Sequence, residues 1–446
     1  MKILTSEEER QRLKNIEYAE NSVKKCTQRV RINNYIPGQI SYNLGDYPAK
    51  FSIKPTEYDY NTIKELAEKG VGLIQVHEEW NDAIRVLGAD KYTSHDPEGM
   101  KEFIDLCHSF GIKVLPYVSS GFFDARDPEC REEFFKSNDS LYSSYFRYRI
   151  ASAKSPEWRS FLMGKLRNLL DEYNFDGLYN DMGYENAGIL REQYRDDSFP
   201  YNPYIEDLLS EMYSLIKERN GISKLHVGWN VRPTTKDKIY DYLWVGESVT
   251  DPRSMLMTAS YEPYIIPCPD YKCITDDNCE DFYAQTLPFM QFPLGLDGRP
   301  LTEKKINVEG VDYLDDSLKD FYVKAGEWHK AHPDGPHVYS EWSSIPDNVH
   351  NRELWKKYLK LYRPMVEENN ICHLNVTEST LVKSEMPENV YMSLFTGVEQ
   401  YICISNLGKN AVVVPFTEKW QDCETGEVLS EINLTPDRVR FIKKNV

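Results

Sequence analysis

The sequence predicts an α/β fold: a (β/α)8 TIM barrel followed by a small C-terminal antiparallel β-sandwich. Three observations carry the prediction. Over residues 36–368, short apolar runs alternate with amphipathic helices, the pattern of a parallel sheet whose crossovers are helical. Beyond about Asn370 the texture changes to strands of period two without long helices. The chain has 446 residues, too many for one ordinary domain, but room for a barrel of roughly 250 residues or more with an accessory domain. Residues 1–35, rich in charge, are expected as a helical or irregular lead-in, 36–368 as the barrel and 369–446 as the sandwich.

The first strand is expected over residues 39–45, running to Asp46, with a helix from about Tyr60 to Lys69. The second, 72–76, delivers His77, Glu78 and Trp80. Its helix starts at Asp96-Pro97-Glu98, an N-cap with proline at the first helical position, and closes at Gly111. The third, 113–118, contains Tyr117 and ends in Ser119, Ser120 and Gly121. A helical face of Trp158, Phe161, Leu162, Leu166, Leu169 and Leu170 then precedes the fourth strand, within Tyr173-Asn-Phe-Asp-Gly-Leu-Tyr-Asn-Asp181. Asp176 begins that strand and reads as a turn cap, whereas Asp181 ends it. After a helix over 203–219, the fifth strand, 224–230, finishes at Trp229, Asn230 and Arg232. The sixth, 242–247, leads into a long loop rich in Pro, Tyr and Cys. A seventh strand is expected around 290–296, ending at Asp297, and an eighth at 337–340, ending at Glu341 and Trp342. Strands at 371–374, 390–395, 400–405, 411–416 and 439–442, with turns at Thr396-Gly397 and Asn406-Leu-Gly408, build the sandwich.

Composition narrows the function. The chain is 41% hydrophobic and 28% charged, and no apolar run approaches the roughly 20 residues that a membrane-spanning helix needs. A net charge of −18, with no stripe of Lys and Arg, argues against nucleic acid. A neutral carbohydrate suits it better: the 31 Tyr and 8 Trp include flat side chains that can stack on sugar rings and offer a polar edge, although a large core would use them too. The N-terminus lacks the apolar core of a secretion signal, so a cytoplasmic protein is expected, or a periplasmic or secreted one whose leader has been removed. Nine scattered cysteines fit reduced thiols, and the spacing of Cys268, Cys273 and Cys279 matches no paired zinc pattern, so neither a metal nor a cofactor is expected. A homo-oligomer is compatible with this composition. No glycine-rich phosphate loop follows the first strand, and Gly-x-Ser-x-Gly is missing. The Cys-His neighbours, Cys107-His108 and Cys372-His373, fall on a helix and on the sandwich, away from strand ends, which disfavours thiol catalysis.

In such barrels the reacting groups sit at the C-terminal ends of the strands. Nearly every expected strand end here carries polar or aromatic residues: Asp46; His77, Glu78 and Trp80; Tyr117; Asn180 and Asp181; Trp229, Asn230 and Arg232; Glu247; and Asp297. Each has a plainer reading. A strand-end acid can cap a helix or hold an arginine, His77 can be a satisfied rim histidine, and Trp80 can be a packing residue.

With the strands placed, the chain resembles the retaining glycoside hydrolases of the α-amylase, α-galactosidase and α-glucosidase superfamily. Phe175-Asp-Gly-Leu-Tyr-Asn-Asp181 resembles their fourth-strand segment, in which an Asp-Gly pair precedes the nucleophilic Asp, and Gly246-Glu247 resembles a segment bearing the acid. The acid of the α-amylase family is a Glu after the fifth strand; in the α-galactosidase and α-glucosidase types it is usually an Asp after the sixth. Glu247 follows the sixth by this count. The basic residue that those families usually place two positions before the nucleophile is absent here, so no single family is assigned. The resemblance implies an enzyme cleaving terminal, α-linked sugars from an oligosaccharide or glycoconjugate, in a setting such as bacterial polysaccharide utilisation. Such cleavage needs one carboxyl group to attack the anomeric carbon and one to protonate the departing oxygen. Asp181 is assigned the first role, steadied by Asn180, Tyr117 or Asn230, and Glu247 the second. Its apolar strand would help keep it protonated. His77, Glu78 and Trp80 would bind hydroxyls and stack under a ring, and Arg232 would clamp an anionic group. Asp46, Trp229 and Asp297 complete the rim, Tyr261, Tyr264 and Tyr271 would wall the pocket, and Glu185 and Glu341 are reserve acids. An inverting glycosidase and a non-catalytic carbohydrate-binding barrel are the alternatives.

Overall fold

The structure, a computed structural model, describes residues 3–45, 51–81, 92–124, 127–135, 148–181, 203–226, 237–246, 264–268, 274–275, 278–299 and 349–444. It opens with helix α1 (Ser6–Ser22), started by a capping box in which Glu8 N donates to Thr5 Oγ1 (3.2 Å) and Thr5 N to the Glu8 carboxylate (2.8 Å). The chain passes directly into β1 (Val23–Ile32), which pairs antiparallel with β12 (Ile371–Ser379). The lead-in is therefore part of the C-terminal β-domain. Its strand escapes notice in the sequence because Lys24, Lys25, Arg29 and Arg31 give it the charge of a protected sheet edge.

The barrel strands are β2 (Gln39–Asn43), β3 (Leu73–Val76), β4 (Lys113–Ser119), β7 (Gly177–Asp181), β8 (Ile222–His226), β9 (Tyr242–Val245), β10 (Ile265–Pro267) and β11 (Gly295–Gly298), all parallel. A short antiparallel pair, β5 (Phe122–Asp124) and β6 (Tyr148–Ile150), follows β4. The order β10-β9-β8-β7-β4-β3-β2-β11 leaves β10 and β11 at the seam, where Leu294 N donates to Pro267 O (3.0 Å). Strands one to six of the sequence reading are in place. The expected seventh, which ends at Asp297, is in fact the eighth and pairs with β2, while the seventh is β10, inside what reads as loop. The segment at 337–340 lies outside the described residues.

Helices α2 (Glu57–Lys69), α3 (Pro97–Ser109), α4 (Pro156–Glu172), α5 (Pro203–Lys217), α6 (Cys279–Thr286) and α7 (Val349–Val366) complete the described helical layer. Asp96 caps α3 through Gly99 N (3.1 Å), with Pro97 in the first turn as the sequence predicts. On α4, Trp158, Leu162, Leu166 and Leu169 are buried, while Phe161 and Leu170 flank them half-buried. The Asp176-Gly177 pair is architectural. Asp176 accepts from Val114 N (2.8 Å), Lys113 Nζ (3.1 Å) and His108 Nε2 (2.8 Å), pinning β7 to β4. Gly177, at φ +147°, brings the chain so close to β8 that a Cβ would lie 1.9 Å from Ile222 O. The dipeptide is thus needed to seat the strand that delivers Asp181.

Strands β13 (Val390–Thr396), β14 (Gln400–Asn406), β15 (Val412–Asp422), β16 (Val428–Leu434) and β17 (Arg438–Lys444) join β1 and β12 in one continuous antiparallel sheet around an apolar core that also takes in Ile16 and Ala19 of α1. Aromatic contacts tie this domain to the barrel: Tyr362 of α7 lies 5.6 Å from Phe395 and 6.2 Å from Phe441, centroid to centroid. No described helix is long and apolar enough to cross a membrane.

Candidate active site

Strand alternation decides what the barrel interior contains, since every second side chain of a strand faces inward. Here the inward positions are polar or aromatic: Gln39 of β2, Gln75 of β3 and His77 just past it, Tyr117 of β4, Tyr179 and Asp181 of β7, Lys224 and His226 of β8, and Trp244 of β9. Contacts across the barrel establish this. Lys224 Nζ donates to Gln39 Oε1 (3.0 Å) across three intervening strands. The His77 ring lies 5.4 Å from Tyr179, 6.0 Å from Trp244 and 6.2 Å from Tyr117.

Asp181 stands at the C-terminal end of this column. Its Oδ2 accepts from Tyr117 OH (2.8 Å) and its Oδ1 from His226 Nδ1. The two donors come from β4 and β8, the strands on either side of β7. Burial, then the negative charges of Asp181 and Glu78, hold the Tyr117 phenol well above its usual range, so it remains a proton donor. The His226 ring packs on Trp244 at 4.0 Å between centroids. One layer down, burial and then the charges of Lys224 and His226 push His77 well below the usual imidazole range, which keeps it neutral; its Nε2 lies 2.9 Å from Gln75 Nε2.

The structure brings together Asp181, Tyr117, His77 and Glu78 from the sequence-predicted set. It turns three others away. Trp80 is fully buried behind the strands, its indole N–H on Tyr117 O (2.9 Å) and its ring edge-on to Tyr173 and Phe175, so it packs the barrel wall and offers no platform to a sugar. Asn180 has the opposite parity to Asp181: its Oδ1 accepts from Ser120 N (3.0 Å) and its Nδ2 donates to Ser120 Oγ (2.9 Å), which orders the turn after β4 instead of steadying Asp181. Asp297 faces the helical layer, 3.6 Å from Arg352 of α7, and accepts from Gly298 N. Asp46, Trp229, Asn230, Arg232 and Glu247 lie outside the described residues, as do Glu185, Glu341, Tyr261 and Tyr271. Tyr264 is bound at the other end of the barrel, donating to Asn33 O (3.2 Å) and accepting from Asn33 N (2.9 Å).

Sequence reasoning missed His226, Lys224, Tyr179, Trp244 and Glu79. The signal was there: counting back in twos from Asp181, and along Lys224-Leu-His226 and Tyr242-Leu-Trp244, picks out all but the last. Glu79 is buried and accepts from Leu44 N (3.3 Å); burial pushes its carboxyl up to about 7.

Lys224 makes a checkable contribution to stability. Burial pushes its ammonium down to about 7 from an ordinary 10.5. The unfolded chain therefore holds a proton that the native state has lost between those values, and stability rises with pH across that window by up to about 1.4 kcal/mol per unit. Below it both states are protonated and the cost of burying the charge is fully present. Lys224→Met is expected to flatten this rise, as read from denaturant unfolding at a series of pH values. An unchanged slope would show that Lys224 does not titrate in this window. Loss of the donor to Gln39 costs about 1–3 kcal/mol at every pH, so the slope is the measurement.

Comparison with known proteins places the architecture. No protein-family profile matches the chain. A segment is 25% identical over 226 residues to the chloroplastic/amyloplastic 1,4-α-glucan-branching enzyme 1 of Pisum sativum, covering 42% of this chain and 27% of that enzyme. The chain thus matches only about a quarter of that relative's length. Among solved structures it superposes on trehalose-6-phosphate hydrolase of Bacillus licheniformis (TM-score 0.53, 12% identity, 92% of this chain and 100% of that one). It also superposes on a maltogenic α-amylase of Thermotoga neapolitana (0.51, 12%, 92% and 96%) and an α-galactosidase of Geobacillus stearothermophilus (0.50, 11%, 93% and 56%). The chain has the fold of these proteins, a parallel barrel followed by an antiparallel β-domain.

Proposed function

We propose that this protein is a glycoside hydrolase that cleaves α-linked sugars, glucans foremost, with Asp181 as the carboxylate that attacks the anomeric carbon. One observation carries the reading: Asp181 ends the fourth strand at the barrel mouth with each carboxylate oxygen held by a donor from a different neighbouring strand, Tyr117 OH and His226 Nδ1. A nucleophile needs such an orientation, whereas a helix cap or an arginine partner would look elsewhere. The sixth strand ends at Val245, which puts Glu247 just past it in the chain, and we assign Glu247 the acid role. The similarity to a branching enzyme and the fold shared with enzymes acting on maltose-type and trehalose-type sugars favour an α-glucoside over other glycosides.

The test is turnover of paired 4-nitrophenyl α- and β-glycosides of glucose and galactose, followed by maltotriose with the first-formed anomer read by NMR. Nitrophenol release from the α-glucoside and an α-configured first product are expected. A β-configured product would replace retention by inversion, for which the carboxyl groups stand about 6.5–9.5 Å apart instead of about 5 Å. Binding of maltotriose without turnover of any substrate would overturn the enzymatic reading in favour of a sugar-binding barrel.

A further inference from the structure

We propose that His226 is the positioning residue for Asp181, supplying from the neighbouring fifth strand a donor fixed at one carboxylate oxygen. The proposal rests on Asp181 being the reacting carboxylate. In this chain the position two before Asp181 is Tyr179, whose side chain packs inside the barrel against His77, Tyr117 and Trp244. His226 lies on β8, directly beside β7: Asn180 pairs with Leu225, which sets His226 level with Asp181. Its Nδ1 touches Oδ1 while Tyr117 holds Oδ2, so the carboxylate plane is set from both sides.

Two further features fit positioning better than packing alone. His226 is only 1% exposed, and its ring lies 4.0 Å from that of Trp244, so the imidazole cannot swing away from Asp181 without unstacking. Among the described residues, Asp181 from β7, Trp244 from β9 and His77 after β3 bear on it, and Asp181 takes the bond from Nδ1. A donor fixed at that oxygen stabilises the anion and leaves the other lone pairs of Asp181 directed at a substrate carbon.

The experiment compares wild type, His226→Ala and His226→Asn on 4-nitrophenyl α-glucoside, with kcat, KM, the pH profile of kcat/KM and thermal unfolding measured for each. His226→Ala is expected to lose about 10- to 100-fold in kcat, the worth of one charge-assisted hydrogen bond, with KM changed far less. The acid limb of its kcat/KM profile should move, which a merely structural loss would not do. His226→Asn, whose amide N–H can occupy the place of Nδ1–H, should recover most of the rate and of the limb. The proposal is overturned if His226→Ala keeps its kcat and acid limb, or if both variants lose activity only in step with lost folded protein. Should His226→Ala not fold, the acid limb of His226→Asn against His226→Gln decides between the same outcomes. If wild type turns over no glycoside, or Asp181→Asn is as active as wild type, the glycosidase reading fails instead, and the two failures are told apart.

Discussion

Asp181→Asn is expected to lower turnover by about 10⁴-fold or more while leaving a folded protein. The amide keeps the shape of the carboxylate, and Tyr117 OH can still donate to its oxygen. It has neither the charge to attack an anomeric carbon nor the basicity to activate water, so both the retaining and the inverting routes close. The Asp181 side chain retains 16% of its exposure, so the change in unfolding free energy should stay within about 1 kcal/mol. The measurement is kcat on the glycoside that wild type hydrolyses best, beside thermal unfolding of the same preparation. Activity within tenfold of wild type would remove Asp181 from the chemistry. Asp181→Gly refines the assignment, since the space it opens can admit azide. A glycosyl azide of configuration opposite to the substrate marks position 181 as the site of attack, and a silent variant marks it as the site of a base.

The parts of this molecule that were legible in the sequence are those where one physical pattern acted alone. Strands one to five each adjoin an amphipathic helix, and the Asp96-Pro97 start of α3 follows from local sterics and hydrogen bonding. The contrast between Asp176 and Asp181 was legible for a related reason: they occupy opposite ends of one five-residue strand plus its entry. Legibility ended where tertiary contact overrides pattern. Strand β10 is three buried residues, Ile-Ile-Pro, with no alternation to read and one backbone donor missing. Strand β11 holds two glycines in four residues. Their reason is contact: a Cβ on Gly295 would come 2.9 Å from Trp355, and one on Gly298 would come 2.3 Å from Asn43 N. The rim was over-read for the converse reason. Trp80, Asn180 and Asp297 lie at strand ends in sequence, but one step of parity or one turn of backbone sends their side chains behind the wall. His226 is hidden in the sequence because it sits mid-run in a segment whose later residues, Trp229 to Arg232, carry the polar and aromatic groups expected of a strand end.

Arg299→Ala is expected to cost about 3–5 kcal/mol of stability. Arg299 follows the eighth strand, and its Nε and Nη2 donate to the two carboxylate oxygens of Asp59 (2.8 and 2.9 Å). Its remaining donors reach Leu44 O (3.1 Å), Ser52 O (2.7 Å), Ile53 O (2.9 Å) and Lys54 O (3.1 Å). One guanidinium thus fastens the last strand to the first strand-helix unit, beside the seam where β10 and β11 meet and Leu294 N donates to Pro267 O. Burial works to raise the Asp59 carboxyl, but the hydrogen bonds from Arg299 and Thr56 N, the Arg299 charge and the Tyr42 hydroxyl outweigh it and hold the group below its ordinary 3.8. Asp59 is therefore an anion with a fully buried side chain, and removing Arg299 strands it there. Because the folded value is depressed, the pair stabilises wild type above the ordinary carboxyl range, and that contribution is lost as pH falls through the folded value. In the variant a stranded Asp59 relieves its cost by taking up a proton. The gap between wild type and Arg299→Ala should accordingly be widest near neutrality and shrink below about pH 4. Arg299→Lys restores the charge but not the fork, so it should recover only part of the loss. Chemical denaturation at neutral and acidic pH checks all three statements. A loss under about 1 kcal/mol, or a gap that does not narrow in acid, would mean that the last strand is held to the first strand-helix unit by packing and not by this ion pair.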